Sequence, residues 1–407
     1  DILLRLLLLD LPGWGSVSVN RLLESNDSDE LDAPVMILDA IKVLSAKHAR
    51  IKLPDIKDIE RARGSAENLI QQCEVKGIQI LTPANEFYPV RLDGITRLSP
   101  VVIFARGDLA VLNQNLVIAV IGTRKPEPWV YQYIKRIGIR CAETGAIVLS
   151  GLAAGCDTAA HEGCLEVQGR AIGVLGNAID TIYPEENRPL AEAILSCGGC
   201  IVSEYAPGVR MNKYQLVTRD RLQAAMSDSI IVGQTDQTGG SMHAANFAID
   251  DISRPVGVLA VDNCKGAEFS GNTDLLERGA TPITNADDLL AFISRSRINN
   301  EGGAILFDLD QTLIDSSKLE KKRQARQWDW ILSNLELVQP REGIENLLNE
   351  IEVTGLSIGL VTSAPRNYAE TVCQRVGWTL NTVVTYHDTH FHKPHPNPLL
   401  KAASNLD

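Results

Sequence analysis

Six short apolar runs lie at 116–121, 146–150, 171–175, 201–204, 229–232 and 255–261, and what separates them constrains the fold more than any other feature of the chain. Each is followed by a loop rich in Gly, Asp, Asn or Thr and then by a helical stretch, so successive strands are not joined by hairpins. Parallel pairing demands such crossovers and places helices on both faces of the sheet. With both faces buried, the strands read as Val/Ile runs without polar alternation. The pattern predicts an α/β fold with a doubly wound parallel sheet, whose ligands sit beyond the C-terminal strand ends.

At 407 residues the chain has room for roughly two to four domains. Hydrophobic residues make up 44% and charged residues 22%, which excludes a disordered chain, a collagen-like repeat and a disulfide-stapled miniprotein. Thirty-nine Lys and Arg against 51 Asp and Glu leave a formal charge of −12. That balance excludes wholesale coating of nucleic acid or of an anionic membrane, so any polyanion site has to be local. Eight cysteines are scattered without a dense framework, the usage of reduced thiols in a cytoplasmic protein. Cys197 and Cys200 form a CxxC pair with no second pair nearby, and coincidence is preferred to a zinc or redox role. The apolar run from Ile2 is interrupted by Arg5 and Asp10 and is far shorter than the roughly 20 residues of a membrane span. It reads as a buried helix. The chain opens on Asp1 rather than Met, consistent with a longer polypeptide.

After that helix come Leu11-Pro-Gly-Trp-Gly15 and a second helical pattern through Leu22 and Leu23, a pair resembling a helix-hairpin-helix. The turn of such a pair can offer N–H groups to a DNA phosphate, and plain packing is the competing reading. We expect a helical domain over 1–75, the sheet domain over 76–296, a polar linker at 297–303 and a new domain over 304–407. The last opens with a buried strand at 304–307 and reaches a second strand at 356–361.

The strand at 116–121 runs into Gly122-Thr123-Arg124-Lys125-Pro126. A strand-to-helix turn of this kind aims N–H groups at an anion, and Arg124 and Lys125 add mobile charge; a steric need for Gly is the competing explanation. The second turn, Ser150-Gly151 through Gly155, Asp157 and His161, lets backbone approach a ligand. Asp157 suits a helix cap within reach of His161, and a satisfied structural His is preferred to a catalytic one. A third loop spans 175–187, and Lys213, Arg219, Arg221 and Thr238-Gly239-Gly240-Ser241 follow. Together these make a basic, glycine-lined cleft suited to phosphate.

In this order, Gly122 to Pro126, Ser150 to His161, Ile182-Tyr-Pro-Glu-Glu-Asn187, Ser203-Glu204, Arg219-Asp-Arg221 and Gly271 to Ala280 resemble the DNA-processing protein A (DprA/Smf) family. The resemblance spans roughly residues 1–290 and includes Tyr88-Pro89. It implies an extended Rossmann fold that binds single-stranded DNA, commonly as a dimer, and that in transformable bacteria hands the strand to the RecA recombinase. By matching position, Gly122, Thr123, Arg124, Ser150, Gly151, Lys213, Arg219, Arg221, Gly239, Gly240 and Ser241 would hold phosphates or bases. A few such contacts along a groove suffice for salt-dependent affinity on an acidic protein. The chain departs from the family at Leu216-Val-Thr-Arg219-Asp-Arg221, where Phe-Pro-x-Arg-Asn-Arg is usual: a stacking ring is lost and an acid replaces an amide. The Ser-Gly-Ser/Thr loop becomes Thr238-Gly-Gly-Ser241, and the winged-helix tail of many members has no counterpart. A mononucleotide is the rival ligand.

The strand at 304–307 leads into Asp308-Leu-Asp310-Gln-Thr312. Residues i and i+2 leaving a strand point the same way, so Asp308 can attack phosphorus while Asp310 moves a proton, and the two can share Mg²⁺. With Thr362-Ser363 after the second strand and Lys393-Pro394 beyond, the set resembles the haloacid dehalogenase (HAD) phosphohydrolases. The resemblance implies that Asp308 is a nucleophile forming an aspartyl phosphate, Asp310 the general acid/base, Thr362 a phosphate ligand and Lys393 the charge neutraliser, with Mg²⁺ on Asp308 and Asp310. The family's fourth motif, an acidic pair on the next strand, would fall past Asp407. Either the domain is inactive or the polypeptide continues, into an effector domain for instance; continuation is preferred because a sheet lacking that strand bares an edge. His387, His390, His392 and His395 crowd one segment, read as a polar rim rather than a metal site. The expected protein is a cytoplasmic, DprA-like single-stranded-DNA-binding factor fused to a HAD-like domain, acting in DNA sensing, recombination or phage defence. A Mg²⁺-dependent phosphatase with a regulatory DprA-like part and a nucleotide sensor are its rivals.

Overall fold

A computed structural model describes residues 1–26, 31, 33–48, 51–301, 304–353, 356–389 and 392–406. The chain forms two compact units, Asp1–Ser296 and Arg297–Asp407. The helices expected as a separate domain over 1–75 are part of the first unit. The expected linker at 297–303 is in part helical, because helix Ala286–Glu301 continues through its first residues.

The first unit is built on nine strands, β1 (Gln79–Leu81), β2 (Ile103–Gly107), β3 (Val117–Ile121), β4 (Ile147–Ser150), β5 (Ala171–Leu175), β6 (Cys200–Ser203), β7 (Ser229–Val232), β8 (Val256–Leu259) and β9 (Thr281–Ile283). Their order is β1-β2-β6-β5-β4-β3-β7-β8-β9. From β3 the chain winds outward through β4, β5 and β6, then returns to lay β7 parallel to β3 with Ile118 opposite Ser229. That reversal is the topological switch point, where open α/β sheets leave a crevice. Alternate residues of β3 and β4 enter different cores: Ile118, Val120 and Val148 pack on one side, Val117, Ala119 and Leu149 on the other. This double burial is why the strands carry no polar face. The six expected strands are present within a residue or two. β1, β2 and β9 were not read from the sequence: β1 and β2 pair antiparallel at one edge, and β9 is three residues long with Pro282 at its centre.

Four helices, Ile2–Asp10, Ser16–Glu24, Pro34–Lys47 and Ile56–Val75, precede the sheet. In the turn between the first two, Gly13 has φ +81° and a Cβ there would lie 2.9 Å from Lys52 Cδ, while Trp14 Nε1 donates to the Lys52 carbonyl at 3.2 Å. Trp14 ties the turn to the 51–53 segment, while Pro12, Gly13 and Gly15 remain exposed. At the opposite end of the sheet from the crevice, Arg91 donates to both oxygens of Asp228 at 2.6 and 2.8 Å, and Asp228 also accepts from the Val117 N–H at 2.7 Å. This buried pair fastens the 90–98 segment beneath β3 and β7.

The second unit contains β10 (Ala304–Phe307), a two-residue ribbon of β11 (Ile314–Asp315) and β12 (Gln339–Pro340), then β13 (Ser357–Val361) and β14 (Thr382–Val384). β10, β13 and β14 form a parallel sheet in that order, so β10 is an edge strand and is partly exposed. Two five-residue helices, Glu320–Gln324 and Trp328–Leu332, lie between β11 and β12. Among the described residues no helix is long and apolar enough to cross a membrane.

Candidate nucleic-acid interface and phosphoryl site

At the switch point the turns leaving β3 and β7 are bonded together, the Thr123 N–H donating to the Gln234 carbonyl at 2.7 Å. The turn after β4 joins them through the Cys156 N–H, which donates to the Thr123 carbonyl at 3.1 Å. Gly122 is required here: a Cβ would lie 2.5 Å from Cys156 Sγ and 3.1 Å from the Gln234 carbonyl. The result is one cleft of about 640 Å³. Gly122, Thr123, Arg124 and Lys125 line it from the first turn, Asp157 from the second, and Gly239, Gly240 and Ser241 from the start of helix Gly240–Asp250. Tyr183 reaches it from the loop after β5, and Arg219 and Asp220 come from helix Lys213–Ala225. The expected convergence of turns is therefore present.

The cations divide into two kinds. Arg124 and Lys125 are exposed, and among the described residues neither side chain has an ion-pair or hydrogen-bond partner. Arg219 is 7% exposed, with Nη1 donating to the Val174 carbonyl at 2.7 Å and Nε to Asp220 at 3.2 Å. It is a fixed charge in the floor. Arg221, expected as a phosphate contact, is elsewhere: its two Nη atoms donate to Glu204 at 2.7 and 2.6 Å, and it also donates to the Thr218 and Leu98 carbonyls. It is a strut between its helix and the end of β6. Lys213 starts the helix, and its side chain lies outside the described residues.

Ser150 and Gly151 do not line the cleft. Ser150 is fully buried and its hydroxyl donates to the Val120 carbonyl at 2.6 Å. A Cβ on Gly151 would lie 2.0 Å from Arg219 Nη1 and 2.4 Å from Asp157 Oδ2, so the glycine makes room for that charge pair. Asp157 does not cap helix Cys156–Glu166, whose N-cap is Gly155. His161 does not pair with Asp157 either: Nε2 donates to the Gly151 carbonyl at 2.9 Å, and burial holds its pKa down to about 4, so it is a neutral structural group.

The cleft floor thus carries two carboxylates against one guanidinium. Burial raises the pKa of Asp157, with Arg219 opposing. Asp220 is pushed up to about 6 by burial, opposed by Arg219 and reinforced by Asp157. An ionised Asp220 subtracts from the attraction that Arg219 offers a phosphate, the physical consequence of the acid at a position where an amide is usual.

In the second unit, Lys393 Nζ donates to Asp308 Oδ1 at 2.7 Å, with the two side chains 32% and 38% exposed. Thr362 follows β13, its N–H donating to the Val384 carbonyl at 2.9 Å and its hydroxyl accepting from the Ala364 N–H. Because β10 and β13 are parallel with Phe307 opposite Leu360, Asp308 and Thr362 leave the sheet at the same end. Asp310 departs from expectation. The strand ends at Phe307 and Gln311 has φ +65°, so the i, i+2 rule no longer applies. Asp310 Oδ1 accepts from Ser316 at 2.7 Å and Tyr368 at 2.9 Å, while Oδ2 pairs with Arg323 at 2.8 Å. Burial raises its pKa, with Arg323 opposing.

Asp310 Oδ1 is engaged by two hydroxyls, whereas Oδ2, facing Arg323, is buried without a hydrogen bond, and Asp308 carries Lys393. Among the described residues no group of three His, Cys, Asp or Glu is placed to hold a metal. His392 stacks on Tyr386 with centroids 3.9 Å apart, and His387 meets the same ring edge-on; His390 lies outside the described residues.

A doubly wound sheet with glycine turns closing on its switch point, followed by a smaller parallel sheet with an Asp–Lys pair at a strand end, defines a Rossmann-type unit joined to a HAD-like unit. Residues 79–294 match the family of DNA recombination-mediator protein A, and the chain belongs to that family. Residues 318–407 match the haloacid dehalogenase-like hydrolases, a span that includes Thr362 and Lys393 and begins after Asp308 and Asp310. Protein Smf of Synechocystis is 31% identical over 254 residues, covering 60% of this chain and 63% of its own length, so the chain spans under two thirds of that relative. DNA processing protein A of Streptococcus pneumoniae shares the fold at a TM-score of 0.52 and 23% identity, covering 69% of this chain and 98% of that structure. The N-acetylmuramic acid 6-phosphate phosphatase of Pseudomonas aeruginosa is 37% identical over 95 residues, covering 23% of this chain and 42% of its own.

Proposed function

We propose that the first unit binds single-stranded DNA in the switch-point cleft and that the protein is a cytoplasmic DNA-processing factor. The observation that carries this reading is the pair of exposed, unpaired cations, Arg124 and Lys125, at the mouth of a cleft with the N-terminus of helix Gly240–Asp250 on its wall. Cationic side chains along a groove and a helix N-terminus together attract a phosphate backbone. Thr123, Gly239, Gly240 and Ser241 are the neutral contacts of the same cleft. Eight free cysteines support a reducing compartment. Dimerisation and transfer of the strand to a RecA-like recombinase go with this reading, and fusion to a second unit suits a sensing or phage-defence role. The test is competition: a labelled single strand is displaced by excess unlabelled single strand and not by equal nucleotide amounts of duplex or of mononucleotide. Displacement by mononucleotide alone would replace this reading with a nucleotide sensor.

The second reading concerns the C-terminal unit, for which the 2.7 Å contact between Asp308 and Lys393 favours a phosphoryl site. Hydrolysis of an aryl phosphate by the full chain, abolished in Asp308→Asn, would support it. Equal turnover by the variant would remove it.

A further inference from the structure

In the second unit the chain between β11 and β12 comprises only residues 316–338, all of them short helices and turns. Asp308 and Lys393 keep 38% and 32% of their side chains exposed. A site this open admits a phosphate carried on a large molecule, whereas an enclosed cavity selects by size.

The insert is unlike the rest of this acidic chain. Residues 317–327 hold five cations, Lys318, Lys321, Lys322, Arg323 and Arg326, against the single acid Glu320, and Trp328 and Trp330 follow directly. Two contacts anchor it beside the phosphoryl site. Arg323 pairs with Asp310 Oδ2 at 2.8 Å and donates to the Ser316 hydroxyl at 3.2 Å, and Trp328 lies against Tyr368, whose hydroxyl donates to Asp310, with ring centroids 5.6 Å apart. The remaining groups are turned to solvent. Lys321 and Arg326 are exposed, and among the described residues neither side chain makes a hydrogen bond or an ion pair. Trp330 is 40% exposed, with Lys322 Nζ 4.8 Å from its ring centroid. Cations interleaved with an exposed indole are the surface chemistry that grips single-stranded nucleic acid, phosphates on the cations and a base on the ring.

We propose that the insert is a nucleic-acid-binding surface and that the substrate of the second unit is the terminal phosphomonoester of a DNA strand, with Lys321 and Arg326 on the adjoining phosphates and Trp330 against a base. The proposal rests on the phosphoryl reading of Asp308 and Lys393 and adds to it a substrate class. The Asp308 carboxylate forms a bond to phosphorus while the bond from phosphorus to the terminal sugar oxygen breaks, and that oxygen takes a proton. Water then attacks the aspartyl phosphate, restoring the carboxylate and releasing inorganic phosphate, so one water is consumed for each hydroxyl and phosphate formed. Lys393 adds a third cation for the terminal phosphate, a contact that an unphosphorylated oligonucleotide lacks.

The test compares kcat/KM of the full chain, with Mg²⁺ supplied, on three phosphomonoesters: ribose phosphate, thymidine monophosphate, and a thymidine oligonucleotide phosphorylated at one terminus, each end tried in turn. Thymidine monophosphate should exceed ribose phosphate by roughly 5- to 150-fold, the value of one stacked base. The strand should exceed the mononucleotide by a further 2- to 30-fold or so, the value of about two exposed ion pairs. Trp330→Ala should close the first gap and Trp330→Phe keep it, while Lys321→Ala with Arg326→Ala should close the second. A readout free of turnover is photocrosslinking of Asp308→Asn to a phosphorylated strand carrying iodouracil as its terminal base, which should map to residues 316–338. Equal kcat/KM for strand and mononucleotide in the wild type, or crosslinks confined to the first unit, would overturn the substrate assignment and leave the phosphoryl site standing. Hydrolysis of none of the three by the wild type would overturn both.

Discussion

At the scale of single residues, charge in the cleft is set by burial more than by composition. Asp220 is packed against Arg219, with Asp157 and His243 also acting on it. Because its pKa is raised to about 6, the carboxyl is protonated below that pH and the floor becomes more positive. Affinity for a single strand should therefore rise as pH falls from 7 to 5.5, and Asp220→Asn should bind more tightly at pH 7 and lose that dependence; a parallel profile in the variant would contradict the assignment. The stability linkage has the same sign. A raised carboxyl favours the folded state below the unfolded value near 4, and that contribution is lost as pH rises through 6. Residue-level reading of the sequence placed Arg124 in a βα turn, and its exposed side chain lines the cleft. It misplaced Arg221, since Arg219 and Arg221 look alike in a string, and Glu204, which claims the second guanidinium, lies 17 residues away. Likewise nothing in Asp308-x-Asp310 signals that Arg323 and Tyr368 will turn the second acid inward.

At the scale of elements, close approach of backbones is what brings the turns together. Helices Pro128–Glu143 and Cys156–Glu166 meet through glycines: a Cβ on Gly138 would lie 2.3 Å from the Ala160 carbonyl, and one on Gly163 would lie 1.9 Å from the Lys135 carbonyl. Gly163→Ala should accordingly cost about 1–3 kcal/mol by overpacking, read as a lower urea midpoint with unchanged slope. A midpoint equal to wild type would show that the helices separate freely. The Arg91–Asp228 pair makes a sharper case, with side chains 6% and 2% exposed. Arg91→Ala leaves a buried carboxylate without its partner and should cost about 3–5 kcal/mol. The parallel strands were legible because their double burial is written in local composition. The edge pair β1–β2 was not, because an antiparallel edge depends on a partner distant in sequence, Gly107 lying opposite Cys200.

At the scale of the whole molecule, a chain of net charge −12 holds its proposed polyanion site in a small region, with opposing acids close by. Two mobile cations predict a shallow salt dependence, unlike that of a protein coated in basic residues. The family and its fusion to a HAD-like part could be read from ordered motifs, whereas the engagement of each side chain needed the fold. The most direct measurement is the affinity for a single-stranded oligonucleotide as a function of salt, for wild type, Arg124→Ala and the double variant with Lys125→Ala. With about 0.7 counterions released per phosphate contact on a single strand, the logarithmic slope should be about −1.4 in the wild type, about −0.7 in Arg124→Ala and near zero in the double variant. Identical slopes in all three proteins would contradict the cleft as the place where DNA is held.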